Sequence, residues 1–387
     1  MTDIPANAIV IIGTGLSGYT LAREFRKLDT GTPLVLITAD DGRSYSKPML
    51  SNGLAKGKSA DELAQADAAT MESNLNARIL THTRVEELDT ANSQVRTDQG
   101  PVPYDRLVLA WGADPIHIPL GGDGMEALYQ VNDLTDYGRY REKLAGAGRV
   151  AVVGAGLIGC EFANDLIGSG YEVDVVAPTD TVLPGLLPEE ASQAVRRGLE
   201  EAGVWFHLGR AVTTVERAGD GVRLGLDDGG VLDADLGVAA VGLKPRTGLA
   251  SQAGLATNRG ICVNQVLETS EPGVYALGDC AEVCGHVLPY VMPLMAAARS
   301  LAKTLSGTPT PVHYGSMPVT VKTPACPVAV CPPADSAAGE WEVARDGNSV
   351  RALFRGPDAQ LLGFAVTGDY AAEKQSLSKE VPAILPA

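Results

Sequence analysis

The chain has 387 residues and a formal net charge of −16, with 45% hydrophobic and 20% charged residues, a composition typical of globular proteins with two or three domains. The negative charge argues against nucleic acid or an anionic membrane as the main partner, because both require basic surfaces. The net charge does not exclude a small basic patch on the surface that binds an acidic protein. No basic and apolar leader begins the sequence and no run of 18 apolar residues occurs in it, so we expect a cytoplasmic protein.

The first informative feature is an apolar segment followed by a glycine-rich turn. Residues 8–12 are all apolar, which predicts a strand buried on both faces. The turn has the spacing G-x-G-x-x-G, with Thr14 between its first two glycines. Gly13 would permit the tight turn, Gly15 would let the backbone approach a pyrophosphate, and Gly18 would let the following helix pack close to the strand.

A helix is predicted directly after this turn. Leu21, Phe25 and Leu28 recur at helical spacing, and Gly31 stands where a C-terminal cap is expected. The N-terminus of such a helix offers free amide groups and a partial positive charge to phosphates. Strand, turn and helix in this order predict a dinucleotide-binding fold.

An acidic residue follows the second predicted strand, residues 34–38. A carboxylate that binds the adenosine ribose is expected roughly 20 residues beyond the glycines, which points to Asp40. Ala39 is the alternative occupant of that position, and a plain surface turn rich in aspartate is the alternative interpretation.

The next segments supply two further candidates. Lys47 precedes Pro48 in a polar loop and is a candidate for the active centre, against the alternative of a solvated loop lysine. A helix is predicted over residues 61–76 and a strand over 77–80. Val85 follows, where a backbone group could meet an adenine edge. A β-meander near residue 95 and a buried strand over residues 104–112 complete this half.

A second glycine-rich turn repeats the first. Residues 150–153 predict a buried strand, and Gly154, Gly156 and Gly159 follow with the same spacing, 141 residues after the first turn (154 minus 13). The helix beyond them is predicted to bury one face, formed by Ile158, Phe162 and Leu166. Two matches in the same strand, turn and helix context predict two nucleotide sites.

The second site differs from the first at its ribose end. The strand predicted over residues 171–176 ends at Ala177, where a ribose carboxylate is expected, and we expect no lysine or arginine nearby to hold a 2′-phosphate. This pattern favours NADH. Glu161 is predicted in the first turn of the preceding helix, where it would be either a functional carboxylate or simply a favourable charge at the helix N-terminus.

The last third of the chain returns to the first sheet and then leaves it. A buried strand ends in Gly278 and Asp279, with a helix expected next and another over residues 295–305. The aspartate could accept hydrogen bonds from ribityl hydroxyls. A proline-rich link at residues 308–311 marks a boundary, beyond which strands near residues 319, 343, 353 and 364 and a helix over 371–379 are predicted.

The cysteines and histidines do not form a recognisable site. Six cysteines in a chain of this length do not suggest a disulfide framework, and the histidines are scattered singly, so we expect no metal site. Cys326 and Cys331 have the spacing of a redox pair. If they lie on one strand, about 17 Å of extended chain separates them, which a disulfide cannot bridge.

These segments together resemble the pyridine nucleotide-disulfide oxidoreductase superfamily. The resemblance is carried by the two glycine turns, by Ala-Trp-Gly at residues 110–112, by Ala-Val-Gly at 240–242 and by Tyr-Ala-Leu-Gly-Asp at 275–279. Within that superfamily, residues 37–40, 45–50 and 157–163 are similar to the bacterial rubredoxin-NAD(+) reductases of alkane-oxidising systems. The expected fold class is therefore α/β, with two Rossmann-like dinucleotide-binding domains and a small C-terminal α+β domain. The expected limits are 1–112 with 243–310 for FAD, 113–242 for NAD, and 311–387 for the C-terminal domain.

The resemblance implies the cofactors and the residue roles. FAD would occupy the first turn and NADH the second, and hydride transfer to flavin N5 would precede two single-electron steps to rubredoxin. Lys47 and Glu161 would lie together beside the flavin, with the lysine stabilising the reduced form and the carboxylate fixing the lysine. Asp279 would bind the ribityl chain, Val291 would give a backbone contact to the isoalloxazine, and Lys322 would lie at its pyrimidine side. The candidate binding residues are Gly13, Thr14, Gly15, Gly18, Asp40, Lys47, Val85, Gly154, Gly156, Gly159, Glu161, Asp279, Val291 and Lys322.

Two other functions remain open at this stage. The same mechanism could serve another acceptor, such as a flavorubredoxin or a ferredoxin. Alternatively, the chain could be a flavin-bearing signalling or scaffold protein in which FAD has a structural role.

Overall fold

The computed structural model describes residues 4–386. The strands among these residues are, in chain order, β1 (Ile9–Ile12), β2 (Leu34–Ile37), β3 (Ser44–Tyr45), β4 (Ala64–Ala66), β5 (Arg78–Leu80), β6 (Val85–Asp89), β7 (Gln94–Thr97), β8 (Gly100–Pro103), β9 (Arg106–Leu109), β10 (Ala113–Pro115), β11 (Leu128–Tyr129), β12 (Arg149–Val153), β13 (Glu172–Ala177), β14 (Val204–Leu208), β15 (Val212–Ala218), β16 (Gly221–Leu226), β17 (Val231–Ala234), β18 (Leu236–Ala239), β19 (Leu243–Pro245), β20 (Ile261–Val263), β21 (Val274–Ala276), β22 (Ala281–Val283), β23 (Val319–Val321), β24 (Val328–Cys331), β25 (Glu340–Asp346), β26 (Ser349–Arg355) and β27 (Leu361–Thr367).

Helices cover the sheets that these strands form. The α-helices are α1 (Leu16–Arg26), α2 (Ala60–Leu63), α3 (Ala68–Leu75), α4 (Leu134–Leu144), α5 (Leu157–Ile167), α6 (Glu189–Glu201), α7 (Gly248–Gln252), α8 (Val291–Leu305) and α9 (Lys374–Leu377). Short 3-10 helices lie at Lys47–Met49, Thr90–Asn92, Met125–Ala127, Gly278–Cys280 and Gly368–Glu373.

The first sheet is parallel, with the order β21-β9-β1-β2-β5. Ile12 at the end of β1 lies opposite Ile37 of β2 and Leu109 of β9. All four residues of β1 are buried, as the unbroken apolar run predicts, and α1 packs against α8 on one side of the sheet. The carboxyl ends of β1, β2, β9 and β21 therefore meet at one edge, where the first glycine turn begins.

The second sheet is also parallel and repeats this plan, with the order β11-β18-β12-β13-β14. β12 lies between β18 and β13, as β1 lies between β9 and β2. Three-stranded antiparallel sheets adjoin the two parallel sheets, β6-β7-β8 beside the first and β15-β16-β17 beside the second. Strands β10 and β19 pair antiparallel where the chain crosses between the two halves.

The C-terminal sheet is antiparallel, with the order β23-β24-β27-β26-β25. Its inner face packs against Ala191 and Ala194 of α6, so it is attached to the second half of the molecule. Cys326 precedes β24 and Cys331 ends it, and all six cysteines are free thiols. The strand positions predicted from residues 319, 343, 353 and 364 agree with this sheet.

The first predicted helix is present but shorter than predicted, the second is wrong, and both differences trace to local capping chemistry. α1 ends at Arg26 rather than continuing to Leu28, because the Asp29 side chain accepts hydrogen bonds from the amides of Gly31 and Thr32 and turns the chain. The helix predicted over residues 61–76 is two short helices, α2 and α3, with β4 between them. Ser59 and Asp67 each supply an N-terminal cap.

The later helix predictions also need correction. α8 begins at Val291, four residues before the predicted start, because Pro293 falls in its first turn, where an amide hydrogen is not needed. Where a helix was expected directly after Gly278 and Asp279, the chain forms a single 3-10 turn, Gly278–Cys280. The late helix is a 3-10 turn followed by α9, which ends at Leu377. Ile158 of α5 is 41% exposed, although Phe162 and Leu166 are buried as predicted.

Candidate flavin and nicotinamide nucleotide sites

The two glycine turns have the same geometry. Gly13 and Gly154 both have a φ of 114°, a left-handed conformation that favours glycine. A Cβ on either one would collide with a backbone carbonyl, that of Ala110 or that of Ala240. In the same way, a Cβ on Gly18 or Gly159 would collide with the carbonyl of Gly13 or Gly154. These glycines are therefore fixed by the close approach of strand, turn and helix.

Gly15 and Gly156 differ from the other glycines because nothing in the protein crowds them. A Cβ built on either one meets no protein atom within 4 Å. Each is the N-cap of its helix, α1 or α5, and neither helix has a side-chain cap. Both helix N-termini therefore have open space beside their N-cap glycine, which fits a pyrophosphate bound at each N-terminus.

The residues predicted for the adenosine end of the first site lie together. The Asp40 carboxylate accepts hydrogen bonds from Thr38 Oγ1 at 2.6 Å and from the Gly42 amide at 2.9 Å, and Thr14 Oγ1 lies 3.5 Å from it. The exposed Asp40 is thereby held beside the glycine turn. The loop before Val85 runs alongside, because the His82 amide donates to the Asp40 carbonyl.

Lys47 and Asp279 form an electrostatic pair at the carboxyl edge of the first sheet. Burial lowers the pKa of Lys47, and the nearby Asp279 carboxylate opposes that shift. Burial also raises the pKa of Asp279, with Lys47 acting in the opposite direction. The Lys47 ammonium donates to Asn132 Oδ1 at 2.7 Å, and the amide group of Asn132 donates to the Ala113 carbonyl.

The expected pairing of Lys47 with Glu161 is wrong. Within residues 4–386 no ion pair joins these two side chains, and Glu161 is paired instead with Lys322 at 2.7 Å. The oxygen that pairs with the Lys322 ammonium, Oε2, also accepts from Ser51 Oγ at 2.6 Å. The other oxygen, Oε1, accepts from the backbone amide of Lys322 at 2.9 Å. Glu161 lies in the second turn of α5 rather than the first.

Lys322 therefore connects three parts of the molecule. It follows β23 of the C-terminal sheet, and its ammonium reaches Glu161 of α5 and Ser51 Oγ at 2.8 Å, as well as the Pro48 carbonyl. Glu161 is 1% exposed and Lys322 29% exposed. A carboxylate this deeply buried needs its cation, so the C-terminal sheet contributes a charge that the interior of the site requires.

The remaining predicted residue, Val291, is the first residue of α8 and is exposed. Asn132 and Ser51 were missed by the sequence analysis. Neither belongs to a recognisable chemical motif, and the only signal at Asn132 is its place just before Asp133, the N-cap of α4.

Two family models match this chain. One, described as pyridine nucleotide-disulphide oxidoreductase, matches residues 7–302 and includes both glycine turns. The chain belongs to the pyridine nucleotide-disulphide oxidoreductase family. The second model, described as rubredoxin binding C-terminal domain, matches residues 311–381, which include the antiparallel C-terminal sheet. The resemblance found in the sequence is confirmed, and this family member is an oxidoreductase that uses FAD and NAD(H).

Individual relatives cover nearly the whole chain. A rubredoxin-NAD(+) reductase of Alcanivorax borkumensis is 53% identical over 98% of this chain and 99% of that protein. A nitric oxide reductase FlRd-NAD(+) reductase of Klebsiella pneumoniae is 38% identical over 97% of this chain and 99% of that protein. A ferredoxin reductase from Rhodopseudomonas palustris superposes with a TM-score of 0.87 at 25% identity, over 97% of this chain and 95% of that one. The α/β fold prediction is confirmed.

The structure shows neither a membrane span nor a metal cluster in the part of the chain that it describes. No helix there is long and apolar enough to cross a bilayer. No group of three or more His, Cys, Asp or Glu side chains could hold a metal ion in the same residues.

Proposed function

We propose that this chain is an FAD-dependent NADH:rubredoxin oxidoreductase. The observation that carries the proposal is the presence of two equivalent glycine turns, together with a C-terminal sheet whose Lys322 pairs with the buried Glu161 of α5. The 53% identity to a rubredoxin-NAD(+) reductase and the match of residues 311–381 to a rubredoxin-binding domain favour rubredoxin as the acceptor. FAD, when bound, would accept two electrons from NADH together and release them one at a time.

The side chains at the carboxyl edge of the first sheet set the electrostatics of the flavin site. The Asp279 carboxylate opposes the lowering of the Lys47 pKa by burial and so favours the charged lysine, and the hydrogen bond to Asn132 fixes the position of Lys47 Nζ. A fixed cation stabilises negative charge that develops nearby, and it does so more strongly where water is excluded. Asp40, held beside Thr14, would bind the ribose hydroxyls of FAD.

The exposed side of α8 offers a surface for the acceptor. Met292, Arg299 and Lys303 are exposed and follow one another at helical spacing. Among the described residues, neither Arg299 nor Lys303 has an ion-pair or hydrogen-bond partner for its side chain, and α8 contains no acidic residue. Rubredoxin is a small acidic iron protein, and a chain with a net charge of −16 repels it except at such a local basic surface.

The acceptor can be identified by mixing the reduced protein with several oxidants in parallel. We expect rubredoxin to reoxidise the NADH-reduced protein much faster than ferredoxin, a flavorubredoxin or oxygen does, in stopped-flow measurements of flavin absorbance. Faster reoxidation by a flavorubredoxin would favour the activity named for the 38% identical relative. No reoxidation by any of these proteins would favour the flavin-bearing scaffold.

Three finer statements belong to the same proposal. The pathway is alkane hydroxylation, the compartment is the cytoplasm, and the domain limits are those expected from the sequence. The proline-rich link supports the last limit, because residues 306–309 are exposed. Limited proteolysis should cut there first and release a C-terminal fragment. Fractionation of cells and rubredoxin-dependent alkane oxidation in a reconstituted system test the other two.

A further inference from the structure

The ribose end of the second glycine turn contains an arginine that the sequence order conceals. β13 and β14 are parallel neighbours, with Ala177 opposite Leu208 at their carboxyl ends. The segments that follow are hydrogen-bonded to each other: the Gly209 amide donates to the Thr179 carbonyl and the Arg210 amide to the Ala177 carbonyl, both at 3.0 Å. The expectation that no basic residue lies near Ala177 is therefore wrong.

The position that normally rejects a 2′-phosphate carries no charge in this chain. In dinucleotide-binding folds, a carboxylate at the end of this strand binds the ribose 2′-hydroxyl and repels a phosphate, whereas an arginine nearby accommodates the phosphate. Ala177 is small, apolar and buried. The corresponding end of β2 in the first half shows the contrast, because it leads to Asp40, which is held beside the glycine turn.

Arg210 is available for such a contact but is partly engaged. Its Nε pairs with Asp228 at 2.5 Å and its Nη1 donates to the Gly209 carbonyl at 3.0 Å, while the side chain remains 46% exposed. A guanidinium has five N–H donors, so others remain for a ligand. Arg210 also lines a cleft of about 430 Å³ with Arg196 and His207, of which Arg196 pairs with Glu200 and His207 with Asp174.

Two aspartates adjoin this arginine. Asp228 lies between β16 and β17 and competes directly for the guanidinium; a hydrogen bond from the Gly230 amide and the charge of Arg210 lower its pKa, so it is ionised at neutral pH. Asp180 is exposed, and its carboxylate lies over Gly209. Of the two, only Asp228 forms an ion pair with Arg210.

We propose that the nicotinamide nucleotide site accepts a ribose 2′-phosphate, that Arg210 binds this phosphate, and that Asp228 limits the affinity by competing for Arg210. The protein would then use NADPH as well as NADH. Arginine forms charge-assisted, often bidentate hydrogen bonds with phosphate. The inference rests on the proposed function only in assigning the nicotinamide nucleotide to the second glycine turn.

The first test measures binding without catalysis. Isothermal titration of the FAD-loaded protein with adenosine 2′,5′-bisphosphate and with AMP isolates the contribution of the 2′-phosphate. We expect Arg210→Gln to weaken bisphosphate binding about tenfold, the scale of one hydrogen bond to a charged group, and to leave AMP binding unchanged. Asp228→Asn should strengthen bisphosphate binding severalfold. Equal effects on the two ligands, or no effect on either, would overturn the proposal.

A matched control is available on the same small sheet. Asp233 pairs with Arg223 through two hydrogen bonds, at 2.7 and 2.9 Å, so Asp233→Asn removes a comparable ion pair at another position on that sheet. It should change neither affinity. If Asp233→Asn strengthens bisphosphate binding as much as Asp228→Asn does, the effect is one of overall charge and the role of Asp228 is refuted.

The second test compares the reduction of bound flavin by NADPH and by NADH in anaerobic stopped flow. The wild type should be reduced by both coenzymes, and the ratio of the NADPH rate to the NADH rate should rise in Asp228→Asn and fall in Arg210→Gln. A ratio that does not respond to either substitution contradicts the inference. If NADH itself fails to reduce the flavin, the proposed function is wrong, and the titrations still decide whether the 2′-phosphate site exists.

Discussion

Replacing Lys322 with methionine should destabilise the protein by isolating a buried charge. Glu161 is 1% exposed and has Lys322 as its only cation within ion-pair distance among the described residues. Breaking a buried pair by removing one partner costs about 3–5 kcal/mol of unfolding free energy. Because Lys322 is 29% exposed and water can reach part of the pair, we expect the low end of that range, about 3 kcal/mol.

A double-mutant cycle separates this charge effect from lost packing. Glu161→Gln removes the carboxylate charge; its single oxygen can accept from the Lys322 amide, and its NH2 group can donate to Ser51 Oγ. The double variant therefore contains no isolated charge, and its loss should be smaller than the sum of the two single losses by about 2 kcal/mol. Urea unfolding followed by circular dichroism gives the four free energies.

The control for this cycle is another lysine of the C-terminal domain. Lys374 donates to Thr320 Oγ1 at 3.1 Å and has no carboxylate partner among residues 4–386, so Lys374→Met should change the unfolding free energy by less than about 0.5 kcal/mol. Additive losses for Glu161 and Lys322, within about 0.5 kcal/mol, would refute the conclusion that the C-terminal sheet supplies a required charge.

Other predictions concern the glycine turn, pH and docking. Gly156→Ala should leave stability unchanged but raise the KM for NADH about tenfold. Gly154→Ala should cost about 2 kcal/mol or more of stability, because residue 154 has a φ of 114° and the added Cβ would meet the Ala240 carbonyl. Equal thermal shifts for the two variants would contradict this. Burial raises the pKa of Asp165, so its contribution to stability is lost as pH rises. Relative to Asp165→Asn, the wild type should gain unfolding free energy as pH falls from neutral through the raised pKa toward the ordinary aspartate value of 3.8, and parallel pH profiles would show otherwise. Charge reversal of Arg299 and Lys303 together should raise the KM for rubredoxin about tenfold at low salt without changing flavin reduction by NADH, and an unchanged KM would exclude α8 as the docking surface.

The glycine turns could be predicted from sequence because their constraints are local. Gly13 and Gly154 have a left-handed φ, and Gly18 and Gly159 face the carbonyls of Gly13 and Gly154 within the same motif. The apolar runs that became β1 and β12 are equally local signals, since burial on both faces removes every polar residue. The α/β fold therefore followed from short segments.

The contacts between distant segments could not be predicted in the same way. The expected partner of Glu161 was Lys47, and only the docking of the C-terminal sheet shows that Lys322 is its partner. The partner of Lys47, Asn132, belongs to no motif. Arg210 was missed because its proximity to Ala177 depends on the parallel pairing of β13 and β14, which sequence spacing alone does not show.

The most direct test of the central claim is the addition of NADH to the purified, FAD-loaded protein under anaerobic conditions. The account predicts a yellow protein that retains FAD and whose flavin absorbance is bleached rapidly and fully by NADH, because the two glycine turns hold the two nucleotides so that a hydride can pass between them. A protein that stays colourless after FAD is supplied, or a bound flavin that NADH does not bleach, would contradict it.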